Sequence, residues 1–210
     1  MNSLCVFCGS RAGNNPAYVA AARETGAAIA RRGWRLIYGG GSVGMMGALA
    51  DAALAEGGNV VGIMPRSLLT REVAHPGLTR LHLVTTMHRR KALMSSMSDG
   101  FLTLPGGFGT LEEFFETLTW AQIGLHTKPC ALLNVAGFWD DLLAMVNTLV
   151  VEGFVAEDHL RLILRGSDLE GLLDRIESYE PPYFGDASAL SPDGSAVSRD
   201  LEPAAAGNPA

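Results

Sequence analysis

Short, nearly continuous apolar runs recur along the chain at residues 4–8, 36–38, 60–64, 81–84, 101–104, 131–135 and 160–164, and amphipathic stretches fill the gaps. Strands that are apolar on both faces, alternating with helices, are the pattern of a parallel sheet covered on both sides. The predicted fold class is therefore α/β, a doubly wound, Rossmann-like sheet forming a single domain over residues 1–180. Gly153 is expected to follow a helix that begins near Phe138, and residues 168–178 read as a last short helix with Ser167 or Asp168 near its cap. From Pro181 onward half of the chain's ten prolines fall among Ala, Ser, Gly and Asp. Such a composition cannot bury a core, so residues 181–210 are expected to be a disordered tail.

Composition agrees with one domain. The 210 residues are 48% hydrophobic and 18% charged, a size and balance that bury roughly 70% of the unfolded chain's surface. The formal net charge of −6 argues against a broad basic face for nucleic acid and leaves room only for a concentrated cationic pocket. No basic and apolar leader opens the sequence, and no apolar run approaches the roughly 20 residues of a membrane span. A cytoplasmic protein without a membrane partner is expected. Three cysteines, Cys5, Cys8 and Cys130, make an odd count without a disulfide framework, which fits a reducing compartment. Cys5 and Cys8 spell C-x-x-C inside a strand, where their separation points them to opposite faces, and no second pair supplies zinc ligands.

In a doubly wound sheet, ligands bind beyond the carboxyl ends of the strands. Four segments there carry chemistry: residues 9–13, starting with Gly9 and Ser10; residues 39–47, which include Gly40, Gly41 and Gly44; residues 86–91; and residues 105–113. Gly39, Gly41 and Gly44 match G-x-G-x-x-G between a strand and a helix. The acid that would hold a dinucleotide's ribose is missing, because the next strand runs into Met64-Pro65-Arg66. That disfavours NAD and leaves a mononucleotide, or glycines used only for close packing.

At about 100° per residue, Met87, Arg90, Met94 and Met97 share one helix face, which turns Arg90 inward. A buried cation in a first helical turn needs an acidic side chain or an anionic ligand. Lys91 sits beside it, whereas His88 and Arg89 are expected in solvent. Further on, Thr110 and Glu113 spell a capping box, with Thr110 as the expected N-cap. A cap accounts for Glu113 but not for the preceding Pro-Gly-Gly-Phe-Gly, whose bare backbone lets a ligand approach, nor for Glu112 alongside. Backbone donors for phosphate next to a carboxylate suit cleavage of a nucleotide's N-glycosidic bond. There an oxocarbenium-like sugar develops positive charge a few bonds from the phosphate.

The motifs GGGSVGMMG at residues 39–47, Met87-His88-Arg89-Arg90-Lys91 and P-G-G-x-G-T-x-x-E at residues 105–113 together resemble the LONELY GUY family of cytokinin riboside 5′-monophosphate phosphoribohydrolases. The likeness spans roughly residues 3–180. It implies hydrolysis of N6-substituted adenosine 5′-monophosphates, and of AMP, to free base and ribose 5-phosphate, with neither redox cofactor nor catalytic metal and commonly as a homodimer. Carried over by motif, the catalytic pair is Arg90 and Glu113. Substrate-binding positions are Glu72, Lys91, Gly106, Gly107, Phe108, Gly109, Thr110, Leu111, Glu112 and Thr119. Many relatives have a second serine where this chain has Arg11, which puts the contacts of the first loop in question.

Two other readings compete. A lysine decarboxylase would need a Schiff-base lysine, for which only Lys91 and Lys128 are available. A nucleotide or molybdenum-cofactor carrier could use the same phosphate loops without turnover, and would have no need of Glu113.

Overall fold

The computed structural model of the protein describes residues 1–69 and 73–182. Within them the apolar runs form β1 (Ser3–Phe7), β2 (Arg35–Tyr38), β3 (Val60–Pro65), β4 (Arg80–Val84), β5 (Gly100–Thr103), β6 (Cys130–Leu133) and β7 (Ile163–Gly166). They build one sheet in the order β4-β3-β2-β1-β5-β6-β7, every adjacent pair parallel. The helices between them are α1 (Pro16–Arg31), α2 (Gly44–Ala55), α3 (Met87–Ser96), α4 (Phe108–Gln122), α5 (Asp140–Val151) and α6 (Leu169–Glu177). No helix among the described residues is long and apolar enough to cross a membrane.

Alternating side chains explain why helices cover both faces. Leu4 and Val6 of β1 enter a core with residues of α1, α2 and α6, such as Ile29, Leu49 and Leu172. Cys5 and Phe7 enter the opposite core with Met94 of α3 and Ala121 of α4. Phe114 of α4 and Trp139 build a third cluster against α5. Cys5 and Cys8 thus lie in opposite cores, and all three cysteines are buried and free. Burial, with Glu113 adding to it, pushes the Cys8 thiol well up, and burial raises that of Cys130 to about 12.

The last strand differs from the expected 160–164. Residues Glu157–Leu162 form a 3-10 helix and β7 follows it, because Leu162 buries its side chain in the core before Ile163 takes up its register opposite Cys130. The final helix forms as expected, with the Asp168 carboxylate accepting from Gly171 N–H at 2.8 Å. The tail expected from residue 181 falls, from residue 183 on, outside the described residues.

Small side chains set the spacing of α1 and α2. A Cβ added at Gly26 of α1 would stand 2.1 Å from the Leu49 carbonyl oxygen of α2. The two helices touch backbone to backbone, and α2 has no room to retreat because Ala50 and Ala53 are themselves buried. Gly26→Val is expected to cost about 2–3 kcal/mol of stability through overpacking. The check is the urea midpoint, which should fall with the slope unchanged. The same packing fixes where α2 begins, and its first residue helps shape the ligand site.

Candidate active site

The chain turns from β1 toward β2 on one side of the sheet and from β5 toward β6 on the other, so β1 and β5 flank the point where the strand order reverses. Loops diverge there and leave a crevice. The loops after these strands are tied together by Gly9 N–H donating to the Pro105 carbonyl at 3.1 Å. Gly44, the first residue of α2, has φ +63, and a Cβ on it would lie 2.3 Å from the Ser10 carbonyl oxygen. Only glycine permits both that backbone and that approach. The loop carrying Gly9, Ser10 and Arg11 is therefore held between α2 and the loop before α4.

Above it opens a cavity of about 510 Å³, within the range that small molecules occupy. One wall is backbone: Pro105, Gly106, Gly107, Phe108, Gly109 and Thr110. Cys8, Gly9, Ser10, Arg11 and Gly13 form the rim from the first loop. Arg90 and Glu113 lie inside, while Met45, Met46, Tyr18 and Phe138 supply apolar surface. Tyr18 and Phe138 meet edge to face with ring centres 5.4 Å apart.

The N-terminus of α4 is not capped as expected. The helix starts at Phe108 with Gly107 as N-cap, and no side chain accepts from its first turn. Gly107 takes an extended backbone with φ −99 and ψ −156, so the helix begins before Thr110 is reached. Thr110 is buried in the first turn and packs its hydroxyl against Gly106, where a Cβ would stand 2.1 Å from Thr110 Oγ1. By contrast α1, α3 and α6 are capped by Asn15, Thr86 and Asp168 side chains. The N–H groups and the helix dipole at Gly107 thus face the cavity with no side-chain acceptor among the described residues, the arrangement that attracts anions.

Glu113 falls in the second turn of α4, beyond reach of the cap, so capping does not explain it. Its carboxylate lies 3.3 Å from Arg90 Nη1, and the two side chains are only 11% and 10% exposed. Arg90 Nε also donates to the Ile63 carbonyl at the end of β3, at 3.1 Å. The guanidinium sits against Gly39, where a Cβ would come within 2.4 Å of Nη2. Gly39 is thus a vacancy kept for Arg90. The inward turn inferred for Arg90 holds, whereas Met87, expected on the same buried face, is 41% exposed at the helix start.

Lys91 does not enter the cavity. Its ammonium, on a side chain only 10% exposed, pairs with Glu112 and, at 2.8 Å, with Glu116, bracing α3 against α4. Burial lowers the lysine's pKa, but the bonds to Glu112 and Glu116 outweigh it and the net shift is upward. Glu112 is thereby held away from the cavity. Leu111 lies in the hydrophobic cluster with Phe114, and Thr119 is exposed about 9 Å along α4 from Glu113. Gly40 and Gly41 do not line the cavity. Gly40 has φ +85 and its carbonyl accepts from His75 N–H, while the Gly41 carbonyl accepts from the Tyr38 hydroxyl at 3.1 Å. Glu72 lies outside the described residues.

Of the expected site residues, the cavity gathers Arg90, Glu113, Gly9, Ser10 and Gly106, Gly107, Phe108, Gly109 and Thr110. It leaves out Lys91, Leu111, Glu112, Thr119, Gly40, Gly41 and Gly44. Sequence reasoning missed Tyr18, Met45, Met46 and Phe138. The two methionines stand within the glycine motif and were legible as its side chains, but nothing local marks Tyr18 or Phe138. Among the described residues no three His, Cys, Asp or Glu side chains gather as a metal site requires.

Comparison with known proteins adds three kinds of likeness. The model of a family described as "Possible lysine decarboxylase" matches residues 46–176. The chain is 49% identical over 177 residues to a cytokinin riboside 5′-monophosphate phosphoribohydrolase of Rhodococcoides fascians, covering 84% of this chain and 89% of the relative. It is 45% identical over 180 residues to a protein of the same name from Oryza sativa subsp. japonica, covering 86% and 74%. Among solved structures, the molybdenum cofactor binding protein of Rippkaea orientalis superposes with a TM-score of 0.65 at 23% identity, covering 85% of this chain and 97% of that one. The molybdenum cofactor carrier protein of Chlamydomonas reinhardtii gives 0.63 at 20%, covering 85% and 98%. At that identity the structures speak for the fold alone.

Proposed function

This chain belongs to the LONELY GUY family of phosphoribohydrolases, whose family model carries the description of a possible lysine decarboxylase, and we propose that it hydrolyses the N-glycosidic bond of adenosine 5′-monophosphates bearing N6 substituents, and of AMP. The products are the free base and ribose 5-phosphate. The observation that carries this reading is the Arg90–Glu113 ion pair buried in one cavity with the uncapped start of α4.

The 5′-phosphate sits on the amides of residues 106–110, where donors and dipole converge. The ribose then lies over the ion pair, and the base extends toward Met45, Met46, Tyr18 and Phe138. As the bond from C1′ to the base nitrogen breaks, its electron pair leaves with the base and positive charge builds on the sugar. The Glu113 carboxylate stabilises that charge. Water adds its oxygen to C1′; one of its protons passes by way of Glu113, and a proton completes the departing base. Arg90 holds the carboxylate in place and orients the nucleotide.

Neither candidate lysine favours decarboxylation. Lys91 is engaged by Glu112 and Glu116, and Lys128 donates to the Ser95 carbonyl at 2.7 Å near the opposite end of the sheet. The reading includes a cytoplasmic homodimer. Its support is the free, buried thiols and the exposed Ile123 and Leu125 at the end of α4.

Incubation with AMP and with isopentenyladenosine monophosphate tests the proposal. Equimolar free base and ribose 5-phosphate are expected from both. Tight binding of the nucleotide with no product would instead identify a carrier.

A further inference from the structure

Among the described residues, three with full charges line the cavity: Arg11, Arg90 and Glu113. Arg90 and Glu113 face each other at 3.3 Å and largely cancel. Among the described lining residues Arg11 therefore supplies the net positive charge, on a chain whose overall formal charge is −6. Its guanidinium makes no ion pair or hydrogen bond to any other described residue.

The backbone that carries Arg11 is built in. A Cβ on Gly44 would stand 2.8 Å from the Arg11 carbonyl carbon, and one on Gly9 would stand 3.1 Å from the Arg11 carbonyl oxygen and 3.4 Å from Gly106 Cα. The first loop is thus wedged between the start of α2 and the glycine wall that precedes α4. The backbone of Arg11 therefore needs no reordering when its exposed side chain binds, and only side-chain freedom is lost. Its planar donors suit a phosphate better than any neutral part of a nucleotide.

A dianionic phosphate placed on residues 106–110 also meets a problem that Arg90 does not solve. Glu113 stands in the same cavity and repels it, and the charge of Arg90 is spent on that carboxylate. We propose that Arg11 favours the phosphorylated substrate: it closes on the 5′-phosphate from the first loop, so that nucleoside monophosphates bind more tightly than uncharged nucleosides. The inference rests on the hydrolase reading and adds to it a specificity residue outside the Arg90 and Glu113 motifs.

The test compares the full-length protein with Arg11→Ser and Arg11→Lys, by calorimetric binding of ribose 5-phosphate and of adenosine, and by steady-state hydrolysis of AMP. Arg11→Ser is expected to weaken ribose 5-phosphate about tenfold and to leave adenosine binding as it was. For AMP the loss should fall on KM more than on kcat. Arg11→Lys should recover most of the affinity, and raising the salt concentration should weaken ribose 5-phosphate more in the parent protein than in Arg11→Ser. Equal ribose 5-phosphate affinity in the parent and Arg11→Ser overturns the proposal. So does a parallel loss for ribose 5-phosphate and adenosine, which would make Arg11 a support for the loop. If the parent protein released no base from AMP, the hydrolase reading would fail by itself, and the binding comparison would still decide the role of Arg11.

Discussion

Glu113→Gln is expected to lower kcat for AMP by about a thousandfold, within the range that a positioned acid or base contributes, equivalent to about 4 kcal/mol of barrier. The substitution keeps the shape and leaves an acceptor for Arg90, while removing the charge that meets the ribosyl cation. Because the cap of α4 is Gly107 and not Thr110, Glu113 has no part in starting the helix. The Thr117 hydroxyl bond to the Glu113 carbonyl, at 3.1 Å, involves only backbone at that position and persists. The variant should therefore fold with a stability within about 1–2 kcal/mol of the parent, since a neutral acceptor replaces a charged one beside Arg90. Rapid-quench or continuous assay of adenine release, beside a thermal melt, separates the two effects. A well-folded Glu113→Gln protein working at the parental rate would remove the carboxylate from the mechanism.

Arg90→Lys should lower kcat/KM by about a hundredfold, for a geometric reason. The guanidinium spans two acceptors at once, Nε to the Ile63 carbonyl at 3.1 Å and Nη1 to Glu113 at 3.3 Å. A single ammonium on a flexible stem cannot hold both positions. Arg90→Ala removes the pair entirely and leaves Glu113 charged in a largely enclosed place, at a cost of about 3 kcal/mol. Denaturant titration should then show a lowered midpoint with activity lost, whereas Arg90→Lys should stay closer to the parent in stability. Parental kcat/KM in Arg90→Lys would mean that only the charge at this position matters and that the two-point grip does not.

Much of this site was legible along the chain because its parts are local. A strand followed by glycines and a helix, as at residues 101–113, announces a bare backbone at a helix start without any tertiary information. Arg90 was legible for a different reason. Its helical phase with Met94 and Met97 turns it inward, and burying a guanidinium requires a partner. The phase cannot say which partner. Glu113 answers it from another helix, far along the chain.

Lys91 shows the limit. Its neighbour Arg90 enters the cavity, and adjacency in the motif suggested that Lys91 would too. One residue of helix is about 100° of rotation, and that rotation carries Lys91 to the carboxylates of α4, to Glu112 and Glu116. The Thr110 cap failed in a similar way. T-x-x-E is a sound local signal, but Gly106 and Gly107 let the helix begin earlier and fold the threonine hydroxyl inward.

By itself the sequence determined the alternation of strands and helices, the parallel sheet with two covered faces, and the bare glycine backbone poised at the start of α4, since each follows from side-chain periodicity or from the absence of side chains within a few residues. Only the tertiary structure decided which charges meet. Pairing of Arg90 with Glu113, diversion of Lys91 from the cavity and arrival of Arg11, Tyr18 and Phe138 at its rim depend on the reversal of strand order between β1 and β5. That reversal splays the loops apart, and it brings together residues whose separation along the chain carries no record of their distance in space.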